Sequence, residues 1–380
     1  MHLCSLELVN FRCYERARFE FAPGLNVILG PNASGKTTLL EAIYLLATTT
    51  SPRTSSDRAL IRQGQSPACV TGVFARDGRE LSIRITLGDG AGSRSGPRRF
   101  DVDGREVTGA RDVIGRAQAV LFWAGELDVV KGSPADRRRF LNAALAQMSA
   151  RYLDDLARYR RALRQRNELL KRLAQGAPDG RLLAPWTHAL VEAGTPIVED
   201  RSNFLTALAG QAGPLHARLG ADAEELTVRY APSVPIDEHG DVADAFYAGL
   251  EATHARELER GSTQVGPHRD DMRLQIDGAD IRHFGSQGQQ RTAALALTLA
   301  QAQVAGARTA TQPILLLDDC LSELDPTRGA AMLDLWADRE QMIVTSACCP
   351  EHLAERLSQA RVIYTQGDPT ACARHETPKR

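Results

Sequence analysis

The chain has 380 residues, 43% of them hydrophobic and 24% charged, with a formal net charge of −1, enough apolar material for two or three packed units. No run approaches the 18 apolar residues of a membrane-spanning helix, and the start Met1-His2-Leu3-Cys4 lacks the basic-then-apolar pattern of a secretory leader. The seven cysteines form no CxxC pair, which argues against structural zinc and for reduced thiols in a cytoplasmic protein. A near-neutral balance means that any nucleic-acid contact must come from locally gathered basic groups.

Leu6, Leu8 and the Phe19/Phe21 pair predict short strands at the start of the chain. Residues 25 to 29 are a compact apolar run, and after Lys36 the residues Leu39, Leu40, Ile43 and Ala47 recur at helical spacing. Between them stands Gly30-Pro31-Asn32-Ala33-Ser34-Gly35-Lys36-Thr37, a full match to G-x-x-x-x-G-K-[ST] in strand–loop–helix context. Its glycines let the loop turn backbone N–H groups around the phosphates of ATP, and the helix start adds its positive end. Lys36 is spaced to reach the β- and γ-phosphates and Thr37 to ligate Mg²⁺. A glycine-rich turn matching by chance is the alternative, and the context argues against it. Residues 70 to 123 read as β-rich, with a mobile Gly/Ser/Arg-rich loop over 88 to 99, a turn signal at 100 to 104 and a buried strand at 119 to 123.

From Pro134 the period changes. Leu141, Leu145, Met148, Tyr152, Leu156, Tyr159 and Leu163 form one apolar stripe and predict a single long helix, broken by Gly176, Pro178 and Gly180. A second stripe runs through Trp186, Leu190, Ala193, Ile197, Phe204 and Leu208, so the pair suggests an antiparallel helical arm. Segments at 210 to 214 and 232 to 240 separate it from the last third of the chain. Residues 134 to 174 hold eleven Lys/Arg against four Asp/Glu. Arg158, Arg160, Arg161, Arg164, Arg166, Lys171 and Arg172 either neutralise DNA phosphates with weak sequence preference or form a solvated face over the stripe.

In the last third, residues 272 to 276 and 281 to 284 flank a hairpin signal at 277 to 280, and 287 to 305 read as an alanine-rich helix. Residues 314 to 317 and 342 to 344 read as buried parallel strands, with 362 to 364 as one more. Asp318 and Asp319 come directly after the first of these. Asp318 is the candidate Mg²⁺ anchor, and Asp319 is placed to orient or deprotonate the attacking water; an Asp pair also caps helices. Phe284-Gly285-Ser286-Gln287-Gly288-Gln289-Gln290 carries a capping box, Ser286 to Gln289, at a helix start that offers donors to an anion.

This last segment resembles the signature of ABC-type ATPases, and Ser322-Glu323-Leu324-Asp325 resembles their D-loop. The P-loop and the signature stand roughly 250 residues apart with a helical arm between them, as in the SMC-like class. Within that class the chain resembles the RecF family, on Asn10-Phe11-Arg12, Val130-Lys131-Gly132-Ser133-Pro134, Arg137-Arg138-Arg139-Phe140-Leu141, Gly266-Pro267-His268-Arg269-Asp270-Asp271 and the signature. The resemblance implies an α/β ABC-type P-loop ATPase head, formed by residues 1–133 and 261–380, with an inserted helical arm lobe at 134–260. It implies a homodimer closed by ATP, in which Ser286, Gly288 and Gln289 face the nucleotide of the other subunit. It also implies DNA binding at single-strand/double-strand junctions, mediator partners of the RecO/RecR type, and help in loading the recombinase RecA at gaps. The rival is an ABC-type ATP switch or coupling subunit without direct DNA binding. Three departures favour slow hydrolysis. Thr345-Ser346 stand where many members carry a histidine. Asp319 is a methylene shorter than the usual glutamate. The Q-loop glutamine is not identified, the segment after Trp123 with Glu126 being its expected place. His268 and Arg269 either approach the nucleotide or the dimer seam, or serve a structural role with Asp270 and Asp271.

Overall fold

The computed structural model describes residues 1–88, 97–176, 182–221, 224–234, 236, 240–323, 326–336, 340–348, 357 and 359–365. The expected loop at 88 to 99 and the break at 176 to 180 therefore fall largely outside the described residues. The chain divides into two compact units, Met1–Leu127 with Leu215–Ala223 and Ala294–Arg380, and Asp128–Pro214 with Glu224–Ala293.

The first unit holds two sheets. The antiparallel one contains β1 (His2–Phe11), β2 (Tyr14–Glu20), β4 (Ala68–Arg76), β5 (Arg79–Leu87), β6 (Arg99–Val102) and β7 (Arg105–Val107), in the order β2-β1-β4-β5-β6-β7. Its tight turns use Asp77-Gly78 and Asp103-Gly104, all four at positive φ, as the twist of a two-residue hairpin requires. The parallel sheet contains β3 (Gly24–Leu29), β8 (Ala119–Phe122), β12 (Ile314–Leu317), β13 (Gln341–Ser346) and β14 (Arg361–Tyr364), in the order β14-β3-β13-β12-β8. Strands β8, β12 and β13 are buried along their whole length, which accounts for their unbroken apolar runs.

Helix α1 (Lys36–Thr48) joins the two layers. Leu39, Ile43 and Leu46 share one core with Leu6, Phe74 and Ile85 of the antiparallel sheet and with Leu121, Leu316 and Ile343 of the parallel one. Buried Gln341 ties β13 to the first strand, accepting from the Leu3 N–H at 2.7 Å and donating to the Leu3 and Ala22 carbonyls at 2.9 Å each. The short α2 (Asp57–Leu60) completes the N-terminal part, and Arg98 clamps it through both oxygens of Asp57.

The second unit begins with α3 (Asp128–Lys131), α4 (Pro134–Met148), α5 (Ala150–Ala174) and α6 (Leu183–His216). The single long helix expected from Pro134 is two. Ser149 is extended, at φ −146° and ψ 112°, and its side chain accepts from the Tyr152 N–H to cap α5. The apolar stripe runs through this break because Leu141, Leu145, Tyr152, Leu156 and Tyr159 are all buried. Cross-helix bonds link Arg166 to Thr187, Arg158 to Glu192 and Tyr152 to Arg201, so α5 and α6 run antiparallel, as expected. Helix α6 does not break at 210 to 214; burial of Leu208 and Ala212 carries it to His216 despite Pro214.

The same unit extends past the expected limit of 260. After α7 (Val242–Arg260), the strand β10 (Asp271–Ile276) pairs with β9 (Leu226–Ala231) along six residues and with β11 (Ala279–Asp280). Those ladders, together with the buried Arg201–Asp270 pair at 3.0 Å, fasten 261–293 to the helices rather than to the parallel sheet. Residues 281 to 284 form a short helix, α8 (Ile281–Phe284), instead of the expected strand, because the Asp280 carboxylate caps it at the Arg282 N–H. Helix α9 (Gln287–Thr309) comes next, then α10 (Cys320–Glu323) and α11 (Pro326–Trp336). No helix among the described residues is long and apolar enough to cross a membrane.

Candidate functional site

The parallel strands deliver the P-loop and the acidic pair to one place. The loop leaves β3 at Gly30 and enters α1 at Lys36, turning through left-handed Ala33 (φ 64°) and Gly35 (φ 100°). Both glycines are also fixed by space. A Cβ on Gly30 would lie 2.1 Å from Thr365 Oγ1, and one on Gly35 would lie 2.5 Å from the Tyr14 hydroxyl. Ser34 and Thr365 share a hydrogen bond of 2.6 Å, so the end of β14 braces the loop. Lys36 is almost fully buried and folds back, donating Nζ to the carbonyls of Gly30 at 2.7 Å and Pro31 at 2.9 Å. The cation is thus held over the loop's own carbonyls at the start of α1, where a helix N-terminus favours phosphate.

Thr37 donates its hydroxyl to the two carboxylate oxygens of Asp318, at 3.0 and 2.8 Å. A hydroxyl beside a carboxylate is the oxygen donor set of a hard divalent cation such as Mg²⁺. Asp318 is positioned by its own N–H, which donates to the Phe122 carbonyl at 2.8 Å, and by Thr345, which donates to Asp318 Oδ1 at 2.8 Å. The same Thr345 hydroxyl accepts from the Asp319 N–H at 2.8 Å. Asp319 itself sits in left-handed backbone, φ 51°. Sequence reasoning noted Thr345 only as a missing histidine, but β13 runs through Ser346, so Thr345 lies inside the strand and acts as the bracket of the acidic pair. The position after the strand is taken by Ala347 and Cys348.

A cleft of about 680 Å³ opens over Lys36, Thr37, Asp318 and Asp319, a size typical of ligand sites. Asn32 and Ala33 line it, as do Arg12 and Arg53. These two arginines converge on buried Glu41. Arg12 makes a fork to it at 2.6 and 3.0 Å, Ser51 donates to it at 2.5 Å, and Arg53 approaches at 3.6 Å. Glu41 escaped the sequence reading because a single acid on the inner face of α1 carries no motif; its signal was a charge embedded in an apolar stripe. The expected D-loop gives no test, since Leu324 and Asp325 lie outside the described residues, as do the side chains of Ser322, Glu323 and Glu126.

The signature belongs to the second unit. Its capping box is closed on both sides: the Gln289 side chain accepts from the Ser286 N–H at 2.7 Å, and Ser286 Oγ accepts from the Gln289 N–H at 3.2 Å. Ser286 and Gly288 are not buried, while Gln289 also donates to Glu224 at 3.0 Å. The cap uses the Ser286 oxygen as an acceptor and the N–H groups of Ser286 and Gln289 as donors, so the Ser286 O–H and the N–H groups of Gln287 and Gly288 take no part in it. On α5 the basic cluster is smaller than the sequence suggested. Arg166 is buried, paired with Glu257 at 2.7 Å; Arg158 bonds Asp155 at 2.5 Å; and Arg172 faces Glu168 at 3.9 Å. Arg160, Arg161, Arg164 and Lys171 remain exposed. His268 is structural in this arrangement. Its Nε2 donates to the Thr263 carbonyl at 3.1 Å, so its Nδ1 accepts from the Tyr159 hydroxyl at 2.6 Å, and burial pushes the imidazole pKa down to about 4.

The model of the RecF/RecN/SMC N-terminal domain matches residues 2–368. The DNA replication and repair protein RecF of Bacillus cytotoxicus is 37% identical over 375 residues, covering 98% of this chain and 99% of its own length; that of Bacillus thuringiensis is 36% identical with the same coverage. Among solved structures, the recombination mediator protein RecF with ATP, of the RecFOR pathway, superimposes with a TM-score of 0.84 at 30% identity, over 92% of this chain and 93% of that one. An Smc head bound to the C-terminal winged-helix domain of ScpA shares the fold at a TM-score of 0.55 and 15% identity, over 96% of this chain and 94% of that one. The fold is thus the α/β head of ABC-type ATPases, and the chain belongs to the RecF family of that class.

Proposed function

We propose that this protein is an ATP-dependent DNA-binding protein of recombinational repair and replication-fork maintenance. In this reading it dimerises on ATP, hydrolyses it slowly, and helps load RecA at single-strand gaps with mediators of the RecO/RecR type. The observation that carries it is the meeting of Lys36, Thr37, Asp318 and Asp319 in one cleft of nucleotide size. The RecF likeness over nearly the full chain supports the repair role.

The phosphates are received by backbone N–H groups of the loop from Asn32 to Thr37. Lys36 exchanges its two loop carbonyls for β/γ-phosphate oxygens, a charge-assisted contact worth about 1.5–3 kcal/mol. Thr37 and Asp318 hold Mg²⁺, which when bound neutralises charge that develops on the phosphates. Asp319, fixed through its backbone by Thr345, orients the attacking water. An acid one methylene shorter than glutamate reaches less far toward that water, which fits a switch better than a fast enzyme. One chain carries one P-loop and one signature, so a complete ABC site needs two copies, and ATP becomes part of their interface.

The test is binding of gapped, single-stranded and double-stranded DNA with and without ATP, alongside mass in solution. The expected outcome is a doubling of mass and tighter binding to gapped DNA with ATP. A monomer that ignores ATP and DNA alike would leave the switch without a partner and contradict the reading.

A further inference from the structure

The Gly266–Asp271 segment, a motif that the nucleotide cleft does not use, gathers more positive charge than it neutralises. Arg138 lies at its centre, and the charges that act on it are those of Arg201 and Arg269 against Asp270 and Asp271. Both carboxylates are committed elsewhere. Asp271 accepts the fork of Arg137 at 2.6 and 3.0 Å. Asp270 accepts from Arg201 at 3.0 Å, from the Ser233 N–H at 2.9 Å and from the Tyr230 hydroxyl.

Arg138 and Arg269 are left with backbone carbonyls. Arg138 donates Nη1 to the Asp270 carbonyl at 2.8 Å, and Arg269 donates Nη2 to the Thr263 carbonyl at 3.3 Å. Because Asp270 directly follows Arg269, the first bond holds the two arginines against the same short loop. Arg269 is exposed and Arg138 half-buried, so the pair is open to solvent on one side. His268, which precedes Arg269, is neutral at physiological pH. Arginines 137, 138, 201 and 269 against two aspartates leave two positive charges in excess. Burial works against the Arg138 cation, lowering its pKa.

A half-buried guanidinium without a carboxylate is a costly arrangement, relieved when an outside anion completes it. The planar guanidinium fork matches paired phosphate oxygens, and an excess of two charges matches a terminal phosphate or two successive phosphodiesters. We propose that Arg138 and Arg269 form a phosphate-binding site on the second unit, separate from the P-loop. The site deepens the function proposed above and rests on it, the phosphate being that of DNA backbone or of a nucleoside triphosphate.

The test uses the full chain and the variants Arg138→Gln, Arg269→Gln and their double. In the DNA arm, a gapped duplex is titrated without nucleotide across a salt series. If the phosphate is DNA's, the double variant shows a log K against log salt slope shallower by about two. In the nucleotide arm, ATP affinity of the monomer and ATP-driven dimerisation are measured. If the phosphate is the nucleotide's, dimerisation weakens about tenfold or more while monomer affinity holds. In a third arm, inorganic pyrophosphate raises the melting temperature of Lys36→Ala, whose P-loop cation is gone, and does so less or not at all when Arg138→Gln and Arg269→Gln are added to it. Unliganded Arg269→Gln melts at or above the wild type, because removing it relieves like-charge repulsion. The absence of any effect of the two substitutions in all arms overturns the site, as does a clear fall in the melting temperature of Arg269→Gln, which would make that arginine structural. If the wild type binds neither DNA nor ATP, the broader function fails, and the pyrophosphate shift still decides the site.

Discussion

Asp318 and Asp319 are neighbours in sequence with different attachments, and their replacements should separate. Asp318 is tied to Thr37 and Thr345 through its carboxylate, so Asp318→Asn should weaken Mg²⁺-dependent ATP binding. Asp319 is tied to Thr345 only through its backbone N–H among the bonds described above, so Asp319→Asn should bind ATP normally and prolong the ATP-bound state by blocking turnover. Nucleotide affinity and dimer lifetime, measured on both variants, check this; identical behaviour would refute the division of roles. Thr345→Val should loosen both acids at once, at a stability cost of about 1–3 kcal/mol for the abandoned buried donors and acceptors. His268 gives a pH test. Its pKa falls from 6.5 to about 4 on burial, so the unfolded chain binds more protons between those values. Stability is therefore full above about pH 6.5 and declines as pH falls toward 4, by on the order of 3 kcal/mol in total. Melting temperature against pH should show this slope in the wild type and lose that part of it in His268→Gln.

At the scale of elements, much was legible because local signals agreed with packing. The apolar runs at 25–29, 314–317 and 342–344 became parallel strands, and the G-x-x-x-x-G-K-T segment became the loop between β3 and α1. What failed did so where a polar side chain redirected the backbone. Ser149 split one helix into two without disturbing its apolar period, and Asp280 capped a helical turn where alternation suggested a strand. The unit boundary was missed because strands β9 and β10 pair across about forty residues of sequence, which no local pattern reports. Charge counting misled in the same way: Arg166 looked like part of a surface cluster, while the fold buries it against Glu257. The remaining exposed cations make the arm testable. Replacing Arg160, Arg161 and Arg164 by Gln should weaken binding of all DNA sequences about equally and flatten the salt slope by roughly one unit per lost phosphate contact, with ATP binding intact. An unchanged slope would make this face a solvated cover for the helix.

At the scale of the molecule, the proposed nucleotide site is completed by two copies. The P-loop with its acids lies in one compact unit and the signature helix start in the other, and one chain supplies each of them once. The most direct measurement is complementation between two defective chains. Lys36→Ala removes the cation folded over the P-loop carbonyls, and Ser286→Arg places a long cation on the exposed signature cap. Alone, Ser286→Arg should bind ATP as a monomer and fail to dimerise, while Lys36→Ala should lose about 2–3 kcal/mol of ATP affinity, roughly 30- to 150-fold. Mixed, the two chains should form dimers in which one site carries both lesions and the other carries two intact halves. Part of the ATPase activity should return together with dimer mass. Normal ATP-dependent dimerisation and turnover by Ser286→Arg alone would contradict the two-chain site.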